Sequence, residues 1–387
     1  MSSPAPRIAW VDNLRTAIIL LVVHMHACVT YSHVGSWYIN EGPDPSLSVR
    51  IAFIFWQAHL QAFFMGVLYF LAGFFAHRSL ARHGTGGFLR ERAIRLGLPS
   101  LLYMLVIHPF MVYVLLGNPH VEHRPSLGRL YLDYLTSGRV LSGNGPLWFA
   151  LGLLAFCLVL AGWRAASARG KADPGTPNAA LPAPGPRALL AFACAIVIAT
   201  FAVRLVQPLG TNVLNFQLCF FPQYIATFAA GVAAARGGWF EELIASRRAR
   251  IAGWLGLIGG PLLLAIVGIL GGPPSAHGPG PYVGGWHGQA FGLAAWEQLT
   301  GLGLGLGVLA LFRSHINHDG SIARWLSARA FAVYVLHPPV LVALTPCLRL
   351  LRVDVFTHTL LLTVLGVVAT SAVADLARRI PGLRAIL

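Results

Sequence analysis

The sequence predicts an all-α fold: a polytopic membrane helix bundle of about ten transmembrane helices, with both termini cytoplasmic. Three observations carry this expectation. Of 387 residues, 56% are hydrophobic and only 11% charged, where soluble domains carry about 25% charge. Apolar segments long enough to span recur along the chain, and in lipid such segments satisfy their backbone as helices. Arginine and lysine concentrate in alternate connections, as the positive-inside rule requires. The formal charge of +15 does not point to nucleic acid, because the basic residues are scattered between apolar spans instead of forming one patch.

In chain order, the apolar segments centre on 14–33, 51–76, 96–116, 146–163, 188–206, 217–235, 251–270, 289–312, 327–347 and 356–376. An even number puts both termini on one side. With the N-terminus inside, twenty Arg and Lys fall on the cytoplasmic side. Seven fall outside: Arg50, Arg124, Arg129, Arg139, Arg204, Arg349 and Arg352. The first span keeps Asp12, Arg15 and two histidines and shows no clear cleavage site, so it is expected to stay in the mature protein. The whole of 1–387 reads as one membrane domain. Residues 165–187, rich in Ala, Pro and Gly, form a flexible cytoplasmic linker. The cysteines (Cys28, Cys157, Cys194, Cys219, Cys347) lie in apolar segments with no CxxC pair, so neither a disulfide framework nor a metal site is expected.

Three outer loops stand out. His33 to Arg50 carries Trp37, Tyr38, Asn40, Glu41 and Asp44. Gly117 to Gly145 carries His120, Glu122, His123 and Asp133. Gly271 to Gly288 carries Tyr282, Trp286 and His287. Such loops either hold a sugar or anchor the protein at the interface.

The first span holds the sharpest candidates. At about 100° per residue, Arg15 and His26 share a helix face to within about 20°, His33 joins them, and Asp12 lies about 60° away. His24 points to the opposite side. The rise from Arg15 to His26 is about 16 Å, which carries the imidazole roughly halfway through a ~30 Å hydrocarbon core. Ionisable groups at that depth face a bundle interior or a wet cavity. A neutral imidazole there can take a proton from a hydroxyl or accept an acyl group itself. Arg15 can clamp a phosphate or pair with Asp12. Arg92 and Arg95, at i and i+3, either grip the phosphates of a cytosolic co-substrate or anchor the helix at anionic headgroups. Glu297 stands ready to orient an acceptor hydroxyl or to pair with an arginine or histidine. His337, with Tyr334 one turn earlier, precedes two prolines that are expected to break the ninth segment locally. Lone histidines His59 and His108 read as core residues, and His77 and His83 as solvated.

Taken in order, these motifs resemble the acyltransferase-3 family of integral-membrane acyltransferases. Arg15-x10-His26 resembles its R-x10-H signature. F-F-M-G-V-L-Y-F-L-A-G-F-F (63–75) is similar to its aromatic second span. F-L-R-E-R-A-I-R-L-G-L-P (88–99) is similar to its R-x-x-R element, G-P-L-W-F (145–149) to its L-W-F/Y element and Y-V-L-H-P (334–338) to its closing Y-x-x-H motif. The His26-x4-Tyr31-Ser32 run and the Trp296-Glu297 region resemble the branch containing the succinyltransferase of periplasmic glucans. Ala72 departs from the serine usual in the family. No fused hydrolase-like domain follows, so transfer is expected on the membrane core. The resemblance implies a membrane-embedded O-acyltransferase of the bacterial inner membrane. It would move an acetyl, succinyl or similar group from cytosolic acyl-CoA, a co-substrate and not a bound cofactor, to a hydroxyl of an extracytoplasmic glycan or related acceptor. On this reading His26, Arg15, Asp12, Glu297 and His337 carry the reaction, and Arg15, Arg92 and Arg95 hold the CoA. The partners are then acyl-CoA, the acceptor and membrane lipids. The competing class is an exporter of a polysaccharide or acylated metabolite, in which intramembrane polar residues are equally expected.

Overall fold

Nine helices among the described residues are long and apolar enough to cross a membrane. They are α1 (Ala9–Ser32), α2 (Leu47–Leu115), α3 (Gly145–Ser167), α4 (Pro186–Arg204), α5 (Leu218–Gly237), α6 (Arg247–Gly271), α7 (Gly288–His315), α8 (Ala330–Leu348) and α9 (Val355–Ala377). The structure, a computed structural model, describes residues 8–117, 125–168, 181–272 and 280–387. Arg7, His120, Glu122, His123, Arg124 and most of the expected linker (169–180) lie outside those residues. Among the described residues there is no strand beyond an isolated bridge between Val213 and Phe216.

The run α2 is 69 residues long, about 100 Å at ~1.5 Å per residue, roughly three times what a ~30 Å core needs. It is not one rod. Gly84 breaks it at φ 65°, ψ 175°, with nothing within 4 Å of where a Cβ would stand, a backbone state that glycine alone adopts cheaply. The two arms correspond to the second and third segments expected from the sequence, which brings the crossings to ten.

The second arm carries three π-helical turns, Ala93–Gly97, Tyr103–Ile107 and Met111–Leu115. Their carbonyls turn away from regular α-helical partners. The Met104 and Leu105 carbonyls accept hydrogen bonds from Tyr134 (2.8 Å) and Tyr131 (2.9 Å) of the short outer helix Leu127–Thr136.

Close helix approach relies on glycine. A Cβ at Gly73 would strike the Phe228 carbonyl and one at Gly231 the Phe70 carbonyl, so the backbones of α2 and α5 are in direct contact. Gly253 and Gly307 do the same for α6 and α7. Where lipid removes the hydrophobic drive between helices, this small-residue packing supplies the contact.

α1 is the centre of the bundle. It packs on α2, α8 and α9, and 61% of its apolar window is buried against 11% for α6 at the periphery. Asn13 fixes its N-terminal end by donating to the Ile316 (2.9 Å) and His318 (3.0 Å) carbonyls beyond α7.

Candidate active site

The site begins with a missing backbone donor. Pro338 has no N–H, so the Tyr334 carbonyl four residues earlier lacks its helical partner. The expected local break at Pro338 and Pro339 does not occur; α8 runs unbroken through both. His337 fills the gap: its Nδ1 lies 2.7 Å from the Tyr334 carbonyl oxygen and donates to it. A neutral imidazole donates through one nitrogen and accepts through the other. His337 Nε2 is therefore an acceptor, and it lies 2.9 Å from His26 Nδ1. His26 Nδ1–H must donate. The hydrogen-bond network thus assigns the tautomer, and the lone pair of His26 sits on Nε2. His337 is fully buried and His26 partly so.

A third ring completes the stack. The Trp37 indole lies 3.8 Å from the His26 ring at 15°, and the two imidazoles lie 5.0 Å apart at 17°. Tyr38, next in the loop, has its hydroxyl 3.0 Å from both the Tyr103 hydroxyl and His108 Nδ1. Burial pushes the Tyr38 phenol well above its ordinary pKa, so it stays a neutral hydroxyl. His108 is therefore part of the site's outer wall and not a lone core histidine.

The loop carrying Trp37 is tied on both sides. Arg349 makes two hydrogen bonds of 2.7 Å to the Glu41 carboxylate, and the Glu41 amide donates to the Thr30 carbonyl at 2.8 Å. The Glu41 partnership raises the pKa of Arg349. His33 belongs here and not on the stripe expected from the helical wheel. The helix ends at His33, which takes a left-handed conformation (φ 55°), and its ring turns to Asp44 (2.9 Å) and the Glu41 carbonyl (3.2 Å).

His24 faces away, as the wheel expects. It accepts from Trp56 Nε1 (2.8 Å) and donates to Thr363 Oγ1 (2.9 Å).

Near the N-terminal end of α1, the Arg15 side chain stays accessible although the helix around it is buried. The charges of Asp12, Arg92 and Arg95 all act on it. Arg92 has a buried Nε without a partner, with its guanidinium 5.2 Å above the Phe88 ring. Arg95 is exposed and lies 3.4 Å from Glu91. Arg15 of α1 and the neighbouring pair Arg92 and Arg95 of α2 thus form one positive cluster, an arrangement suited to a polyanion. Asp12 also lines a small cavity of about 100 Å³ between the start of α1 and the helix Ser321–Ser327. It is some fourteen residues, or about 21 Å along the axis, from His26.

Glu297 makes its contacts elsewhere. Its carboxylate takes a 2.6 Å bond from Arg204 Nη2 and a 2.8 Å bond from Gln298. Arg204 was expected to be an outer-loop charge. It ends α4 inside the bundle instead, with its side chain fully buried and Nε and Nη1 without partners. Trp296 donates to the Gly260 carbonyl (2.8 Å), and His59 packs edge-on against its ring at 5.0 Å.

Of the residues singled out in the sequence, the structure brings His26 and His337 together and groups Arg15 with Arg92 and Arg95. Trp37 as a stacking partner and Arg204 as the partner of Glu297 are not evident from the sequence. A Trp-Tyr pair a few residues beyond the first span was the available signal for the former. No local signal separates Arg204 from any other arginine at a helix end.

Curated relatives include the glucans biosynthesis protein C of Salmonella paratyphi B, of Salmonella heidelberg and of Salmonella agona. Each is 28% identical over 162 residues, covering 42% of this chain and 40% of the relative. The match thus spans about two fifths of the length of these relatives. No solved structure matches the chain. The model of an acyltransferase domain matches residues 8–379, nearly the entire sequence, and the chain belongs to this acyltransferase-3 family of membrane proteins.

Proposed function

We propose that the protein transfers an acyl group from cytosolic acyl-CoA, through the bundle, to a hydroxyl of an extracytoplasmic glycan or related acceptor. The cell's inner membrane is then its place of work, with both termini on the cytoplasmic side. The observation that carries the reading is the free lone pair on His26 Nε2, fixed there by His337 and, behind it, by Pro338. In the proposed step His26 Nε2 takes the proton of the acceptor hydroxyl. The oxygen attacks the thioester carbonyl, the C–S bond breaks, and the leaving thiolate receives the proton from the imidazolium. The same lone pair also suits direct attack, with the acyl group resting on His26 before the acceptor displaces it.

Dimensions support the donor. A pantetheine arm has about thirteen bonds between its phosphate and its sulfur, a little over four peptide residues' worth, or roughly 15 Å extended. The rise from Arg15 to His26 is about 16 Å. A pyrophosphate held by Arg15, Arg92 and Arg95 therefore delivers a thioester at the depth of the histidine pair, while the charged nucleotide never enters lipid. Membership of an acyltransferase family favours this over export without chemistry.

The test uses the purified protein in lipid nanodiscs with acetyl-CoA or succinyl-CoA and a glucan acceptor. Thiol release that depends on acceptor and is lost in His26→Ala supports the reading. Undiminished release by His26→Ala removes His26 from the mechanism. Mass spectrometry of envelope glycans from cells with and without the protein then identifies acyl group and acceptor together.

A further inference from the structure

Apart from the candidate active site, a large cavity of about 970 Å³ lies among the described residues between α2, α4, α5, α6 and α7. Its walls are almost wholly apolar and built from small residues such as Ala226, Ala230, Gly256 and Gly303. Two of the spans that line it, α4 and α6, are the least buried of the bundle at 22% and 11%. At one end stands the exposed Arg248, flanked in sequence by the exposed Arg247 and Arg250. The nearby carboxylates are engaged: Glu241 accepts from Arg313 (2.8 Å) and Glu242 from the Ala183 amide (3.3 Å). Along α6 the lining runs from Arg248 to Leu263, about 22 Å at ~1.5 Å per residue. That exceeds the roughly 15 Å depth of one bilayer leaflet.

We infer that this groove is a binding site for an anionic phospholipid of the bilayer. Its acyl chain lies along the Ala/Gly floor and its phosphate rests at Arg248. The charge at the mouth selects the headgroup, and the walls ask nothing of the chain but apolar contact. A glycolipid acceptor or a water-filled passage would call for more hydrogen-bonding groups than Gln223, Thr227 and Thr300 provide. The site is separate from the acyl-transfer reading and stands or falls without it.

The full-length protein is reconstituted in nanodiscs of phosphatidylcholine with a minority of phosphatidylglycerol, extracted gently, and weighed by native mass spectrometry. The expected result is retention of phosphatidylglycerol in preference to phosphatidylcholine. Arg248→Ala, an exposed change that leaves the core intact, should reduce that preference roughly fivefold. Ala230→Trp should displace the lipid by filling the groove. Equal retention of both lipids by wild type, an unchanged preference in Arg248→Ala, or a dimer that cross-links through position 230 would each overturn the proposal. Should Ala230→Trp not fold, Arg248→Ala alone decides.

Discussion

On the proposed mechanism His337 sets which nitrogen of His26 is reactive, and the effect of removing it follows from the hydrogen bonds. His337→Leu keeps similar bulk and deletes the acceptor 2.9 Å from His26 Nδ1. His26 then has a part-buried donor without a partner, and its proton is free to move to Nε2, where it blocks the reactive lone pair. An unsatisfied buried donor costs about 1–3 kcal/mol. At 1.36 kcal/mol per decade, that corresponds to a fall of roughly 5- to 150-fold in kcat. His26→Ala, which removes the base itself, should cost about 10²- to 10⁴-fold. His337→Gln offers a side-chain carbonyl to the same donor and should recover part of the loss. The assay is the initial rate of acceptor-dependent thiol release in nanodiscs, normalised to monodisperse protein. Wild-type turnover by His337→Leu, or a rate for His337→Gln no better than that of His337→Leu, would refute this role for His337.

Glu297→Gln should destabilise the bundle by about 3–5 kcal/mol by leaving the buried Arg204 without its counter-charge. The double replacement Arg204→Met/Glu297→Leu should recover much of this; additive losses in thermal unfolding would refute a coupled pair. Gly145→Ala places a methyl group 2.6–2.7 Å from the Tyr103 and Tyr38 hydroxyls at a residue with φ 48°. It should lower the melting temperature and loosen Tyr38, seen as faster hydrogen exchange in residues 33–46. Asp354 caps α9 by accepting from the Thr357 hydroxyl and from the Phe356 and Thr357 amides, and these bonds lower its pKa below 3.8. Its contribution is present above the unfolded pKa and is lost as pH falls through the lower folded value. Exchange at the first turn of α9 should therefore quicken only in strong acid in the wild type, and at neutral pH in Asp354→Ala.

The bundle was legible because lipid constrains sequence so strongly: length, apolarity and arginine distribution leave little choice of fold. The division of α2 was legible as two segments, although not as a bend at Gly84, since the chain between them remains helical almost throughout. Arg15 and His26 could be read from periodicity within one helix. His337 was found as a polar residue at depth, but its role depends on Pro338 freeing a carbonyl and on α8 lying against α1. The first is written in the sequence and the second is not. His33 was misplaced because a helical wheel has no end; the left-handed turn at that residue stops the periodicity on which the projection relies. Arg204 was read as a loop charge because its partner lies 93 residues away.

Two imidazoles two residues apart nail α1 from opposite sides, His24 to Trp56 and Thr363, His26 to His337. Such a helix is an axle that has been pinned: turning it in either direction tears polar contacts on both flanks. The first span is thereby held in one rotational setting, with the His26 ring kept against His337 and Trp37. A disulfide joining His24→Cys to Thr363→Cys would replace one of these pins by a covalent one and should therefore leave turnover intact.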